Sequence, residues 1–264
     1  MAYQTLDVKQ EGGLAWLTLG RPEQLNALNG TMVDELCDYF GALQNDRATR
    51  VVLLRGAGRG FCAGIDLKDP PTPEGTGISD YLQVQRRVSR IAMLMHRAPQ
   101  PIVSLVHGPA CGGGFAMALA SDVRIAGESS RMNAAFIKIG LSACDVGVSY
   151  FLPRLIGASV ASELMLTGRF IHAERARELG LVSRVVADGE LEAAGRELAN
   201  EMLATTPLGL RLTKECLQAS IDAPNLEAAI AMEDRNQVLC AQSRDFREGI
   251  QAFLEKRPPK YHDA

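Results

Sequence analysis

An α/β fold is predicted by three features of the chain. Short apolar runs at 14–19, 51–54, 102–106 and 123–126 read as buried strands, most of them followed closely by glycine. Helical spacing of apolar residues falls between the first two runs. Beyond Gly157 nearly everything except 181–186 has a helical pattern.

The elements follow in order. Residues 14–19 (LAWLTL) form the first strand, and 31–43 a helix with Met32, Leu36, Tyr39, Phe40 and Leu43 on one face. The strand at 51–54 runs into Gly56-Ala57-Gly58-Arg59-Gly60. The nine residues from Asp69 to Gly77 hold three prolines and two glycines, which makes a surface loop, either a plain connector or a cover over a pocket. Residues 98–121 contain no Asp, Glu, Lys or Arg. Pro99, Pro101, Pro109 and the run Gly112-Gly113-Gly114 would break a membrane-spanning helix, so this stretch reads as a buried strand, a turn and a buried helix. Helices are then expected at 160–166, 173–179, 190–203, 208–221, 226–240 and 246–256. So many apolar positions in a helical appendage suggest packing on its own core or on another subunit.

Composition removes several function classes. The 264 residues are 47% hydrophobic and 22% charged, values of a globular chain large enough for one full domain or a domain with an appendage. A net charge of −3 lacks the basic field that nucleic acids or anionic membranes require, so neither is an expected partner. The six cysteines stand at least 24 residues apart, which excludes a CxxC metal or redox clip and suits a reducing, cytoplasmic compartment. The opening MAYQTLDVKQ has no basic stretch leading into an apolar one, so a signal peptide is not expected. No metal or redox cofactor is suggested.

Glycine-rich turns carry the chemistry. Gly58-x-Gly60-x-x-Ala63 formally fits a dinucleotide fingerprint, but Asp66, Asp69, Pro70 and Pro71 leave no room for the helix that must face a pyrophosphate. The more informative pair is Phe61-Cys62-Ala63-Gly64-Ile65-Asp66-Leu67 and the segment His107 to Ala116 (HGPACGGGFA). Each sets small residues just after a buried strand, where backbone N–H groups can approach a ligand. Two such groups aimed at one point make an oxyanion hole, and a helix starting near Gly113 adds its positive end.

These segments, with Arg21-Pro22-x-x-x-Asn26-Ala27-Leu28, Gly140-Leu141-Ser142, LPRLIG from Leu152, Leu166-Thr167-Gly168 and ARELGLVSRV from Ala176, resemble the crotonase superfamily of enoyl-CoA hydratases and isomerases over nearly the whole chain. The resemblance implies a spiral of ββα turns, an acyl-CoA-binding core over 1–200, and a C-terminal helical region over 201–264 that assembles a homotrimer or a dimer of trimers. Coenzyme A would enter as part of the substrate. It implies that the N–H groups of Ala63 and Gly113 hold the thioester oxygen and that adenine and pantetheine run along Ala63, Gly64, Ile65 and Asp66. Ala27, Cys62, Leu67, Ala116 and Phe136 complete the expected substrate contacts.

The resemblance breaks at the proton shuttle. The two hydratase glutamates fall on Ala116 and Phe136, neither of which can carry a proton. Asp145, in LSACDVGVSY, is similar to the aspartate of the dienoyl-CoA isomerases and is the expected proton carrier. Its plainer role would be a helix cap or turn. Isomerisation of an unsaturated acyl-CoA is therefore expected first, with hydration or lyase chemistry by another mechanism, or acyl-CoA binding without turnover, as alternatives. His107 is expected in a structural turn, Cys111 and Cys144 as small buried fillers, and Tyr150 in packing.

Overall fold

The computed structural model describes residues 3–72 and 75–262. A six-stranded sheet runs in the order β1 (Leu6–Glu11), β2 (Leu14–Leu19), β3 (Val51–Gly56), β4 (Ile102–Val106), β6 (Val123–Gly127), β9 (Arg184–Val186), antiparallel only between β1 and β2. Both faces are covered, as continuous apolar runs in parallel strands require. Val52 and Leu54 face one core, with Leu17, Leu36, Phe40 and Ile102. Val51 and Leu53 face the other, with Trp16, Leu105, Leu191 and Ala199.

A second line of pairings makes the chain a spiral. Each main strand turns and pairs again with the next coil: Leu28 with Ile65, Cys62 with Ala110, then β5 (Pro109–Cys111) with β7 (Arg131–Asn133), all parallel. β8 (Ile171–His172) closes this smaller sheet antiparallel to β7. The turns are tight enough to need glycine. A methyl group on Gly56 would lie 2.3 Å from the Gly60 carbonyl oxygen, and one on Gly114 would lie 2.2 Å from that of Cys62. Asn26, fully buried with a left-handed backbone, fastens two coils by donating from Nδ2 to the Ala57 and Gly60 carbonyls, both at 2.9 Å.

Helices fill the outside. α1 (Gly30–Ala42) is capped by Asn29, whose Oδ1 accepts the Met32 N–H. α2 (Ile78–Arg97) follows the proline-rich loop, of which Pro73 and Glu74 lie outside the described residues. α3 (Gly113–Ala120) is wholly buried, α4 (Val148–Ile156) packs beside it, and α5 (Ala158–Thr167) packs on α4. α6 (Ala173–Glu178) precedes β9. α7 (Leu191–Leu203) lies so close to the sheet that a methyl group on Gly195 would be 2.6 Å from Leu105 Cδ2. α8 (Pro207–Ile221), α9 (Leu226–Ala241) and α10 (Arg244–Glu255) end the chain, with Leu217, Leu226, Val238, Phe253 and Leu254 exposed. No helix among the described residues is long and apolar enough to cross a membrane.

The expected strands and C-terminal helices agree with these elements to within a few residues. β1, β5, β7, β8, α2 and α4 are additions that the sequence pattern did not supply.

Candidate active site

A cavity of about 1080 Å³ opens where three spiral coils meet α2. Its walls come from Ala63, Gly64, Ile65 and Leu67 after β3, from Gly112 at the head of α3, from the short 3-10 turn carrying Phe136, and from Asp145 before α4. α2 adds Tyr81, Val84, Gln85 and Val88.

The backbone donors follow from strand pairing. In the parallel bridge between Leu28 and Ile65, Leu28 donates to the Gly64 carbonyl at 2.7 Å and accepts from the Asp66 N–H at 3.0 Å. Both bonds thus use the neighbours of Ile65, so the N–H of Ile65 itself points away from Leu28. Ile65 lines the cavity. Gly113 is the first residue of α3, and the first intrahelical bond there runs from the Ala116 N–H to the Gly112 carbonyl. The Gly113 N–H is therefore one of the donors that a helix start leaves without an intrahelical partner, and it lies at the positive end of the helix. A methyl group built on Gly64 would be 3.4 Å from the Gly113 nitrogen, so Gly64 separates the two donors closely.

Ala63 requires correction as a donor. Its N–H already donates to the Leu25 carbonyl at 2.9 Å, two residues from where the free N–H stands. Ala63 remains in the cavity wall, as do Gly64, Ile65, Leu67 and Phe136, whereas Ala27, Cys62, Asp66, Ala116 and Gly113 do not, Gly113 standing next to Gly112 of the wall. Ala27 is buried behind Arg21, whose Nη1 donates to its carbonyl. Cys62 is fully buried between coils, its N–H donating to Pro109 and its carbonyl accepting from Cys111, and burial pushes its thiol up to about 12. Ala116 is fully buried within α3. Asp66 serves the turn: Oδ2 is 2.9 Å from Arg21 Nη2, and Oδ1 accepts the N–H groups of Lys68 and Asp69.

Asp145 stands half-buried in the wall facing this loop. It caps no helix with its side chain, since the cap position of α4 is Gly147 and no side chain caps it. Instead Oδ1 accepts the Val146 N–H at 2.8 Å and the Gln85 Nε2 amide at 2.5 Å. Burial raises its pKa above the usual carboxylate value, outweighing those two bonds, which act in the opposite direction. Val146, buried and β-branched, takes φ of 46°, an uncommon and strained backbone beside the carboxylate. Phe136 closes the apolar side, its ring 3.4 Å from the methyl position of Gly112.

The lesser candidates resolve individually. His107 Nε2 is 2.9 Å from the Gly58 carbonyl, a bond that joins the turn after β4 to the turn after β3. Cys111 is half-buried, but Cys144 is exposed rather than buried, because the 140–145 loop lies at the surface. Tyr150 donates to Asp222 and lies under the Arg154 guanidinium, 3.7 Å from its ring centre. No helix begins between Gly58 and Gly77 among the described residues, as rejection of the dinucleotide motif required. The same residues hold no cluster of metal-ligating side chains.

A stacked β/α spiral whose cavity is walled by the turn after β3, the head of a buried helix and a half-buried carboxylate sets the class of protein to look for. The model of the enoyl-CoA hydratase/isomerase family matches residues 9–264. A protein of Rhodobacter capsulatus named as a probable enoyl-CoA hydratase is 38% identical over 99% of each chain. The 1,2-epoxyphenylacetyl-CoA isomerase of Escherichia coli is 36% identical over 95% of each. The crystal structure of an enoyl-CoA hydratase from Bacillus anthracis superimposes with a TM-score of 0.93 at 33% identity, covering 99% of this chain and 100% of that one. The chain belongs to the enoyl-CoA hydratase/isomerase family, within the crotonase superfamily, and is an acyl-CoA enzyme of that type.

Proposed function

We propose that this enzyme moves a double bond within an unsaturated acyl-CoA by proton transfer. The thioester oxygen accepts the N–H groups of Ile65 and Gly113, and the Asp145 carboxylate removes a proton from the acyl chain. The C–H electron pair passes into the thioester as an enolate whose negative oxygen the two donors stabilise. Loss of one such donor typically lowers the rate by about 10² to 10³. The carboxylic acid formed at Asp145 then returns its proton to a different carbon, so that the carboxylate is regenerated and the product is an isomer of the substrate.

The observation that carries this reading is that Asp145 brings a half-buried carboxylate to the cavity wall while positions 116 and 136, where hydration would need its two proton carriers, offer none. Ala116 is buried away from the cavity and Phe136 presents a ring to it. The Escherichia coli relative is named as an isomerase of an epoxide, which supports isomerisation in kind, without addition of water, but not the shift of a double bond. Hydration is the second reading, favoured by the hydratase names of other relatives. The apolar faces exposed on α8, α9 and α10 suit a homotrimer or a dimer of trimers, which light scattering of the purified protein tests.

The deciding experiment incubates cis-3-hexenoyl-CoA and trans-2-hexenoyl-CoA with the protein in heavy water and follows mass and double-bond position, with Asp145→Asn in parallel. A shifted double bond and deuterium on carbon, both lost in the variant, are expected. Gain of the mass of water with the variant still active would overturn the reading.

A further inference from the structure

We propose that Gln85 is a positioning residue that fixes the Asp145 carboxylate and presents its second oxygen to the acyl chain. The inference rests on Asp145 being the proton carrier and concerns how that group is held.

Both hydrogen bonds recorded on the carboxylate end on Oδ1: Gln85 Nε2 at 2.5 Å and the Val146 N–H at 2.8 Å. Two donors on one oxygen, from two different elements, set the rotation of the carboxylate plane and leave Oδ2 as the oxygen for proton exchange. Each donor is itself rigidly placed. Gln85 lies on α2 just before the buried residues Val88, Ile91, Ala92 and Met95, which seat that helix on the core. Its Nε2 also stands 3.5 Å from Ser89 Oγ, one helical turn on. Val146 is fixed by its own burial at a φ that a β-branched residue rarely adopts.

The chemical type of the donor matters as much as its position. A cation at this point would lock the carboxylate in its ionised form and weaken it as a base, whereas a neutral amide orients it with a smaller loss of proton affinity. Among the described residues, the other titratable groups lining the same cavity are Lys68 and Asp69 from the loop after Leu67 and Tyr81 from α2. Burial raises the Asp145 pKa, and the bonds from the Val146 N–H and the Gln85 amide lower it. Among the described residues Gln85 is the side chain that adjusts it. An amide 60 residues away in sequence serves the site as a hydrogen-bond donor, with no part in the covalent steps.

The test compares wild type with Gln85→Met, which keeps length and volume without the donor, and Gln85→Glu, which places a second carboxyl against the first. Asp145 is titrated in each free protein by infrared spectroscopy of its protonated carboxyl band, assigned by its absence in Asp145→Asn. Turnover of cis-3-hexenoyl-CoA supplies pH profiles of kcat and KM. Removing a donor to the ionised form raises the pKa, so in Gln85→Met the band should persist to higher pH by about half to one unit. The acid limb of kcat/KM should move with it, and kcat should fall about tenfold with KM nearly unchanged. Gln85→Glu should shift the band further, because two adjacent carboxyls resist ionising together. It also carries the test if Gln85→Met does not fold. Titration as in wild type with kcat unchanged would overturn the inference, whatever happened to thermal stability. If Asp145→Asn were as active as wild type, the catalytic reading would fail and the positioning inference with it, even where the infrared titration still showed the hydrogen bond.

Discussion

Lys214 of α8 places Nζ 2.7 Å from Asp122 Oδ2, and the same oxygen accepts the Ile102 N–H at 2.7 Å, so one carboxylate joins a C-terminal helix to the start of a central strand. Lys214 is buried and also donates to the Gln100 carbonyl at 2.9 Å. Burial depresses its pKa against the opposing pull of Asp122. Lys214→Met should therefore destabilise the fold by about 2–4 kcal/mol, since it strands a partly buried carboxylate and a carbonyl. Urea unfolding at pH 7 measures this. Loss of less than about 0.5 kcal/mol would show that α8 is held by its apolar contacts alone.

Gly64 and Gly113 separate backbone conformation from crowding. Gly64 has φ of 95°, and a methyl group there would meet the Cys111 carbonyl at 2.8 Å, with no flexible side chain to yield. At Gly113 the nearest atom is Leu28 Cδ1 at 2.8 Å, the end of a side chain that can rotate. Gly64→Ala should lower kcat by about 10² or more by displacing the donors on either side, whereas Gly113→Ala should cost about tenfold or less. Equal effects in steady-state kinetics would contradict the placement of Gly64 between the donors.

Asp66 offers a stability prediction with a definite sign. Burial alone would raise its pKa, but the Lys68 N–H, the Arg21 guanidinium and the Asp69 N–H together hold it below the usual carboxylate value. A carboxylate lowered in the folded state adds stability that is present above its unfolded pKa, about 3.9, and is lost as pH falls through the folded value. Asp66→Asn should lower stability by about 1–2 kcal/mol at pH 7, with the gap narrowing in denaturant titrations repeated toward pH 3. Its KM for acyl-CoA should stay near wild type, because the side chain lies off the cavity wall.

The strands were legible because burial on both faces writes itself as an uninterrupted apolar run. Residues 14–19 and 102–106 coincide with β2 and β4. α2 was not legible, although Val88, Ile91, Ala92 and Met95 have helical spacing. Its first half exposes Ile78, Tyr81 and Leu82, and it starts at Gly77 without a capping side chain, so neither stripe nor start signal is clear. α4 was hidden by Pro153, and β1 is an edge strand with only Leu6 buried. Asp145 was picked out by resemblance to the dienoyl-CoA isomerase aspartate, and it lines the cavity. The donor after β3 was not, since any residue has an N–H and only the pairing of Leu28 with Ile65 selects which one is turned outward. Gln85 was illegible for both reasons, a common polar residue on an unrecognised helix.

Asp145 should show the opposite pH behaviour to Asp66. Burial raises its pKa in the folded protein, so between the unfolded value of about 3.9 and the raised one the native state binds more protons than the unfolded chain. Its contribution to stability is then greatest below the unfolded pKa and declines as pH rises through the folded pKa. At neutral pH the protein holds a half-buried carboxylate where a neutral group would be easier to bury. Asp145→Asn keeps the shape and an oxygen for the Gln85 and Val146 donors. It should therefore abolish double-bond migration while gaining stability relative to wild type between pH 4 and pH 7. Paired calorimetric scans at the two pH values measure that change. A variant that lost activity but fell in Tm at pH 7 relative to pH 4 would mean that the carboxylate holds the loop before α4 together, and its catalytic assignment would need support from kinetics alone.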